Sequence, residues 1–468
     1  MTKKATRTID VKNPYDGTLL KTFSYMDEQT ALAMLETAYE RYCDRGSWLD
    51  ASKRIDILEK FASLVESQSD TLARQAASEG GKPLADSIIE IARAVDGVNV
   101  AIKEISQLQG SEIPMSLTDS SANRFAHTYR EPRGVVLAIS AFNHPFNLII
   151  HQVVTAIAAG CPVLIKPASS TPMSCKSVVD LLGEAGLPEG WCQFLFCESA
   201  ITEKLVADRR VSFLTFIGSA QVGWYLRSKL APGAACALEH GGVAPVVVDA
   251  SADIEASVPL LTRGGFYHAG QVCVSVQRIY LQRSIAESFA QKFVSAVRLL
   301  KTGDPLDVST EVGPLITTQE VVRVDGWVRE AIDGGAELLC GGEKLSETTY
   351  APTVLLNPPD GVRVSTEEVF GPVVALYVYD ELDEAITRAN APDVFFQASI
   401  FTQDLDTALS ASRRLKGMAV MVNDHTAFRV DWMPFGGHRQ SGLGLGGIGH
   451  SMRDMTIERM TVFKSSAF

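Results

Sequence analysis

Residues 135–166 read VVLAISAFNHPFNLIIHQVVTAIAAGCPVLIK. Two short apolar runs, 135–139 and 163–166, lie on either side of a longer amphipathic stretch. This order is typical of two buried parallel strands joined by a helix. Polar residues and prolines, among them Asn143 and Pro162, interrupt the segment, so it is not predicted to cross a membrane.

The same alternation continues toward the C-terminus. Further strands are predicted at 193–196, 213–217 and 235–238, with helices near 172–184, 202–207 and 221–230. After Gly242 the pattern resumes, with strands at 246–249 and 278–282 and a helix at 285–300. Residues 28–108 carry helical periodicity instead. The sequence therefore predicts an α/β protein with a doubly wound parallel sheet and a second α/β domain.

Composition limits the function classes. The 468 residues are enough for two or three domains, and the net charge of −12 gives no reason to bind nucleic acid or an acidic membrane. The first 16 residues lack the apolar core of a signal peptide, so a cytoplasmic location is expected. The eight cysteines show no paired CxxC spacing, so they are expected to be free thiols, with no metal site.

Three side chains next to predicted strands can carry chemistry. Cys273 lies in a loop between a helix and a strand, where a lowered pKa would make it a nucleophile, although most cysteines are small buried hydrophobes. Glu239 ends an apolar strand, where burial would suit it to general-base work, or where it forms a structural ion pair. Asn143 offers an amide to an oxyanion, or caps a turn.

Two strand–turn–helix junctions are candidate cofactor contacts. They are Lys166–Pro172 and Phe216–Gly223, and the second would present backbone N–H groups to a phosphate. Neither carries a GxGxxG fingerprint, so neither identifies a dinucleotide site by itself.

In their order and spacing, these segments resemble the aldehyde dehydrogenase superfamily over essentially the whole chain. The matching segments are Phe142-Asn-His-Pro, Lys166-Pro-Ala, Phe216-Ile-Gly-Ser, Glu239-His-Gly-Gly, Gly270-Gln-Val-Cys, Glu367-Glu-Val-Phe-Gly-Pro, and Asn423 with Pro434-Phe-Gly-Gly.

The resemblance implies oxidation of an aldehyde to a carboxylic acid with NAD or NADP. Cys273 would attack the aldehyde, Asn143 would stabilise the oxyanion together with the Cys273 backbone N–H, and Glu239 would activate the water that hydrolyses the thioester. The residues implied in cofactor binding are Phe142, Lys166, Ser169, Gly218, Ser219, Gly223, Glu368 and Phe370. Those implied in the substrate pocket are His144, Val272, Arg429 and Phe435.

Four residues depart from the family pattern. His240, Val243 and Ser275 replace residues that are usual around the pocket. Ser169 stands where many NAD-preferring members carry glutamate. Without that carboxylate a 2′-phosphate meets no like charge, so we expect NADP to be accepted, with use of NAD left open.

The substrate is less constrained. Members that act on phosphate- or sulfonate-bearing aldehydes often carry arginine before the nucleophile, where this chain has Val272, which favours a small hydroxy-, semi- or aromatic aldehyde. Arg93, His144 and Arg429 nevertheless match positions that surround an anionic group in some members. An ion pair between Arg429 and Asp431 is an equally open interpretation.

Two alternative functions stay open. A CoA-acylating aldehyde dehydrogenase would transfer the acyl group to CoA and would have less need of a base at Glu239. A catalytically silent relative would keep the fold for a structural role, against which the presence of Cys273, Glu239 and Asn143 speaks.

The resemblance also implies a domain arrangement and a homo-oligomer. Residues 1–113 and 132–241 would bind the dinucleotide, and 242–440 would form the catalytic domain. Residues 114–131 and 455–468 would form a small β arm that joins subunits in a homodimer or homotetramer. An alternating segment, 125–131, and an apolar tail, 461–463, fit the strands of such an arm.

Overall fold

The computed structural model describes residues 7–468. Residues 1–6, which entered the signal-peptide and domain predictions, lie outside the described residues. The described chain begins with a hairpin, β1 (Thr8–Lys12) and β2 (Leu19–Ser24). Four helices follow: α1 (Glu28–Cys43), α2 (Ala51–Ser67), α3 (Ser69–Gly80) and α4 (Leu84–Ile105). Their presence confirms the helical periodicity of this part of the chain.

Two strands, β3 (Glu112–Ile113) and β4 (Arg124–Pro132), then lead into the quoted segment. The segment and its continuation form β5 (Val135–Ile139), α5 (Asn147–Ala159), β6 (Val163–Lys166), α6 (Pro172–Glu184), β7 (Cys192–Phe194), α7 (Ser199–Val206), β8 (Val211–Ile217), α8 (Ala220–Lys229) and β9 (Ala235–Glu239). These five strands are parallel and lie in the order β9-β8-β5-β6-β7. The stretch predicted to be amphipathic is buried along its whole length, including its polar residues Asn147, His151 and Gln152, because both sides of α5 are covered by other elements.

The next part of the chain forms a second sheet and its helices. This part of the chain contains β10 (Pro245–Val248), α9 (Ile254–Phe266), β11 (Arg278–Gln282), α10 (Arg283–Arg298), α11 (Thr318–Asp333), β12 (Glu337–Cys340), β13 (Thr353–Leu356), α12 (Arg363–Thr366), β14 (Val373–Tyr379), α13 (Leu382–Ala389), β15 (Val394–Phe395), β16 (Gln397–Phe401), α14 (Leu405–Arg414) and β17 (Ala419–Val422). The short strand β15 lies outside the second sheet. The strand order of this sheet is β12-β13-β14-β11-β10-β16-β17, and only β12 runs antiparallel to its neighbour.

The C-terminal part returns to the first sheet. It contains β18 (His438–Arg439), β19 (Gly442–Leu443), α15 (Ile448–Asp454) and β20 (Thr456–Lys464). The short strand β19 pairs antiparallel with β9 and so completes six strands. The long strand β20 pairs antiparallel with β4, with Phe463 opposite Phe125, and β3 borders β4 on its other side.

The architecture confirms the predicted fold class of two α/β sheets and a small antiparallel arm. Several element ends differ by a few residues, because strand and helix ends depend on tertiary hydrogen bonds that an apolar pattern does not encode. One such difference extends β9 by one residue beyond the predicted 235–238, so that Glu239 is its last residue. Within residues 7–468, no helix combines the length and the apolar character that a membrane crossing needs.

Candidate active site

A cavity of about 760 Å³ lies where the carboxyl ends of β5, β8 and β9 meet the loop that precedes β11. Such a crevice is the usual ligand site of a doubly wound sheet. Most residues predicted for the site line it: Cys273, Glu239, Asn143, Phe142, Gly218, Ser219, Glu368, Phe370, His144, Val272, Arg429 and Phe435. Lys166, Ser169 and Gly223 are not among its lining residues.

A strained turn positions Cys273. After α9 ends, His268 and Ala269 adopt left-handed φ angles of 49° and 55°, and Gly270 follows with φ 69°. A side chain at Gly270 would overlap the carbonyl of Gly371, so this position requires glycine. Each non-glycine residue in such a conformation costs about 1 to 3 kcal/mol, and strain of this kind concentrates at functional sites.

The Asn143 side chain lies against the nucleophile loop. It is buried, and its amide donates a hydrogen bond to the backbone carbonyl of Gln271 at 2.9 Å. Gln271 is fixed in turn, because its amide donates to the Pro314 carbonyl at 3.1 Å and its side-chain oxygen accepts from the Ile316 N–H at 3.0 Å. The Asn143 amide carries a second hydrogen, which is the donor that an oxyanion beside Cys273 would use.

Glu239 borders two cavities. One is the large cavity that it shares with Cys273, and the other is a smaller cavity of about 40 Å³ that Gln152 and Phe435 also line. The smaller volume has room for a water molecule. Burial raises the pKa of Glu239, and Arg429 counteracts part of that rise. A carboxylate with a raised pKa is suited to act as a general base near neutral pH.

The electrostatic surroundings of Cys273 do not favour a thiolate. Burial raises the pKa of this thiol well above its ordinary value, the carboxylates of Glu239 and Glu368 raise it further, and Arg429 opposes them. The thiol is therefore protonated at neutral pH in the protein alone. Because the thiolate is the reactive form, nucleophilic attack requires a group that accepts this proton.

Glu368 carries a polar atom without a partner. Its carboxylate lies directly against Gly241, where a Cβ atom would overlap it, and burial raises its pKa to about 8. The Oε1 atom is buried and has no hydrogen-bond partner among residues 7–468. An unpaired buried polar atom is unfavourable, so this oxygen is suited to pair with a ligand hydroxyl. Beside it, Phe370 packs edge-on against Phe142 with ring centroids 5.8 Å apart.

Lys166 and Ser169 lie beyond the cavity, at the carboxyl end of β6. Burial lowers the pKa of Lys166, and within the described range 7–468 no carboxylate forms an ion pair with its ammonium group. The Tyr25 hydroxyl donates to Oγ of Ser169 at 3.4 Å, and the Tyr25 ring stacks on Phe196 with centroids 4.8 Å apart. A cation and two hydroxyl groups therefore border this edge of the sheet.

Two departures from the family pattern have structural causes. The ring of His240 covers Gly223 so closely that a Cβ atom there would overlap Nε2, and Nδ1 of His240 lies 2.9 Å from the Gln440 carbonyl. Packing against His240 therefore requires glycine at position 223, and the contact of Gly223 with a cofactor stays a prediction. The Ser275 hydroxyl donates to the carbonyls of Gly264 and Gly265 at 3.3 and 3.2 Å, which satisfies the last turn of α9.

The predicted ion pair between Arg429 and Asp431 is not formed. Asp431 instead accepts two hydrogen bonds from Arg93, at 2.7 and 3.2 Å, and lies 2.7 Å from Nε2 of His151. Arg429 lies with its guanidinium carbon 3.6 Å from the centroid of the Phe435 ring, and its Nε finds no hydrogen-bond partner in the part of the chain that the structure describes. In the described residues, no carboxylate oxygen lies within 4.0 Å of this guanidinium.

Three further candidate residues of the site lie outside the sequence motifs. Tyr267 lines the cavity, and its hydroxyl lies 3.1 Å from Nε2 of His144. Arg323 and Trp327 of α11 line the opposite side, next to Glu368. None of these residues belongs to a short motif, and each is brought to the site by a packed helix or turn.

The fold and the cavity define a class: a two-sheet α/β dehydrogenase with a cysteine, a carboxylate and an amide around one ligand site. The model of the aldehyde dehydrogenase family matches residues 1–462. The chain belongs to this family, and its activity is NAD(P)-dependent oxidation of an aldehyde to a carboxylic acid. Solved members of the family hold NADP or NAD⁺.

Three relatives illustrate the similarity. The 3-sulfolactaldehyde dehydrogenase of Priestia aryabhattai is 39% identical over 411 residues, which cover 88% of this chain and 86% of the relative. The crystal structure of aldehyde dehydrogenase 21 from Physcomitrella patens, in complex with the reaction product succinate, superposes with a TM-score of 0.94 at 31% identity, covering 99% of this chain and 96% of that one. The glyceraldehyde-3-phosphate dehydrogenase GapN of Methanocaldococcus jannaschii, complexed with NADP, has a TM-score of 0.93 at 32% identity, covering 99% and 100%.

Proposed function

We propose that Cys273 is the nucleophile, that Asn143 stabilises the oxyanion and that Glu239 is the general base. The observation that carries this proposal is that the three side chains come from three separate elements and line one cavity. The Cys273 thiol gives up its proton to a water molecule of the cavity as its sulfur forms a bond to the aldehyde carbon, and the carbonyl oxygen becomes an oxyanion that accepts hydrogen bonds from Asn143 and from the Cys273 N–H.

Oxidation and hydrolysis complete the reaction. NAD(P)⁺, when bound, accepts the hydride from the carbon attached to sulfur, which leaves an acyl thioester on Cys273. Glu239 takes a proton from a water molecule, and the resulting hydroxide attacks the thioester carbon. The carbon–sulfur bond breaks, the carboxylic acid leaves and the thiolate is restored. The raised pKa of Glu239 and the water-sized cavity behind it support this role.

Hydrolysis is preferred over transfer to CoA. Glu239 has no ion pair within the described part of the chain and shares the cavity with Cys273, as a base that activates water requires. A panel of aldehydes assayed with and without CoA tests this proposal. We expect free carboxylic acid as the product and no stimulation by CoA; CoA-dependent turnover would overturn it.

The substrate is proposed to be a small aldehyde with an anionic group at its far end. Arg429 supports this class, since its guanidinium lines the cavity without a carboxylate partner, and an uncompensated cation in such a site is costly unless a ligand neutralises it. Relatives named for sulfolactaldehyde, and one solved with succinate, are in keeping with this chemistry. In the aldehyde panel, a preference for butanal over succinic semialdehyde would contradict it.

The cofactor is proposed to be NADP, with NAD also accepted. Lys166, Ser169 and the Tyr25 hydroxyl would hold the adenosine ribose and its 2′-phosphate, while Glu368 and Phe370 would hold the nicotinamide half. The absence of a carboxylate from position 169 is the supporting feature.

We also propose a cytoplasmic homodimer or homotetramer divided into domains as the sequence predicts. The eight cysteines are free, as is usual in a reducing compartment. Strand β20 forms an edge of the arm and exposes Met460, Val462 and Phe463, an apolar surface that favours contact with another subunit. Light scattering at micromolar concentration is expected to give two or four times the 50.6 kDa chain mass.

A further inference from the structure

Four side chains from distant parts of the chain form a continuous hydrogen-bonded row. Arg93 of α4 donates twice to Asp431, at 2.7 and 3.2 Å. Asp431 lies 2.7 Å from Nε2 of His151, on α5, and Nδ1 of His151 lies 3.4 Å from Nη2 of Arg429. His151 and Asp431 are only 6% and 3% exposed, so the interior of the row is shielded from bulk solvent, and His151 borders the smaller cavity beside Glu239. Only Arg93 and Arg429, at its two ends, line the large cavity.

The charges along the row determine its hydrogen-bond directions. Burial lowers the pKa of His151 to about 4, with Arg429 adding to the effect, so the imidazole is neutral under ordinary conditions. Burial alone would raise the pKa of Asp431, but His151, Arg93 and Arg429 together hold it below its ordinary value, so the carboxylate is ionised. A neutral imidazole beside a carboxylate carries its proton on the nitrogen that faces the carboxylate. Nε2 of His151 therefore donates to Asp431, and Nδ1 is left to accept from Arg429.

A neutral acceptor at position 151 can orient Arg429 without cancelling its charge, which an acidic residue could not do. A carboxylate at position 151 would orient Arg429 but would also neutralise it and compete with an anionic ligand. His151 orients the guanidinium and leaves its charge available. The nearby negative charge of Asp431 is already balanced by Arg93.

We propose that His151, held by Asp431 and Arg93, is a positioning residue that directs the Arg429 guanidinium toward the anionic group of the substrate. This inference rests on the proposed substrate class. It adds specificity residues that lie outside the family's short motifs. Neither His151 nor Asp431 lines the large cavity next to Cys273, so both act through Arg429.

The test compares His151→Leu with His151→Gln, because leucine removes both hydrogen bonds whereas glutamine offers one donor and one acceptor. Both are assayed with succinic semialdehyde and with butanal, its uncharged counterpart of equal chain length. For His151→Leu we expect KM for succinic semialdehyde to rise roughly 10- to 100-fold, as for loss of a hydrogen bond to a charged group, with butanal kinetics within about twofold of wild type. His151→Gln is expected to recover most of the loss.

The control is Gln193→Met in strand β7, because Gln193 is not among the lining residues of either cavity. The Gln193 amide donates to the Met34 carbonyl at 2.8 Å. Gln193→Met is expected to lower the melting temperature without changing the ratio of kcat/KM for the two aldehydes. Equal losses with both aldehydes in His151→Leu, or no loss with either, would overturn the inference.

Arg429→Met separates this inference from the proposed substrate class. If Arg429→Met leaves the preference for succinic semialdehyde unchanged, the proposed anionic substrate is wrong. If Arg429→Met abolishes that preference while His151→Leu retains it, the substrate class stands and only the positioning role fails.

Discussion

At the proposed cofactor end of the site (Lys166, Ser169 and Gly218), the side chains and N–H groups lie at or just after the carboxyl ends of strands β6 and β8 of one sheet. At the proposed substrate end (Arg93, His151, Arg429 and Asp431), they come from two helices and from a loop that lies 278 to 338 residues further along the chain. The cofactor end uses local backbone geometry, whereas the substrate end uses buried side chains whose charges balance one another. The first needs only a strand and a turn, but the second exists only when three elements pack correctly.

The two ends contain different charged groups but share one feature, a cation that forms no ion pair. In the substrate end Arg93 is paired with Asp431, while Arg429 lacks a carboxylate partner within the described chain. In the cofactor end Lys166 likewise makes no ion pair in the range 7–468, and hydroxyl groups border it. In residues 7–468, each end therefore has one cation without a carboxylate at ion-pair distance, suited to an anionic group of a different ligand. Variants at one end should leave binding at the other end unchanged.

The largest effect is expected where the two ligands meet. Cys273→Ala should lower kcat at least about 10³-fold, because no other thiol lines the cavity in the described residues. Binding of NADPH, followed by fluorescence titration, should stay within about threefold of wild type. Cys340→Ala, which removes a half-buried thiol of the second sheet, is the matched control and should be fully active. Residual turnover of Cys273→Ala within tenfold of wild type would contradict the assignment.

The second-largest effect is expected for Glu239→Gln, which should separate formation of the thioester from its hydrolysis. Glu239→Gln should retain a rapid burst of NADPH formation and lose steady turnover about 10²- to 10³-fold, because the proton of Cys273 passes to water during attack whereas hydrolysis needs Glu239. A burst that falls in proportion to the steady rate would instead place Glu239 at or before hydride transfer.

The raised pKa of Glu239 predicts how steady turnover depends on pH. A general base works when deprotonated, and burial raises the pKa of Glu239 above 4.5. Steady turnover should therefore increase with pH along a limb that lies above the ordinary carboxylate range. Glu239→Gln should lose this limb, and an unchanged pH profile would argue against the base.

A smaller and more selective effect is expected at the substrate end. Arg429→Met should reduce kcat/KM for succinic semialdehyde roughly 100-fold, because the substrate anion would then lie in the cavity without its cation. Turnover of butanal should fall much less, because Arg429→Met removes only the charge that opposes the raised pKa of Cys273 and Glu239, and NADPH affinity should not move. Arg93→Met is the comparison: it should cost stability by leaving Asp431 with less compensation, seen as a lower melting temperature.

The smallest effect is expected at the cofactor end. Ser169→Glu should lower kcat/KM for NADP about tenfold or more relative to NAD, because the new carboxylate would face a 2′-phosphate. Titration with 2′,5′-ADP and 5′-AMP should show the same shift without any turnover. Wild-type preference for NAD by more than tenfold, or an unchanged ratio in Ser169→Glu, would refute the proposed cofactor preference.

The sequence alone determined the fold class and the candidate centre, because both depend on local patterns. The alternation around residues 135–166 predicted a strand, a helix and a strand, and the structure has β5, α5 and β6 there. Motifs that immediately follow strands predicted which side chains would gather, since the carboxyl ends of parallel strands meet at one edge. Asn143 follows strand β5 and Glu239 ends strand β9, and both line the cavity.

Only the tertiary structure decided which charges are paired. In sequence, Asp431 is two residues from Arg429 and 338 residues from Arg93, yet its ion pair is with Arg93. The packing of α4 and α5 brings Arg93 and His151 to the loop that carries Asp431, so Arg429 is free to face the cavity. Proximity along a chain does not determine the partner of a buried carboxylate, because the choice depends on which donors the packed elements bring within hydrogen-bond distance.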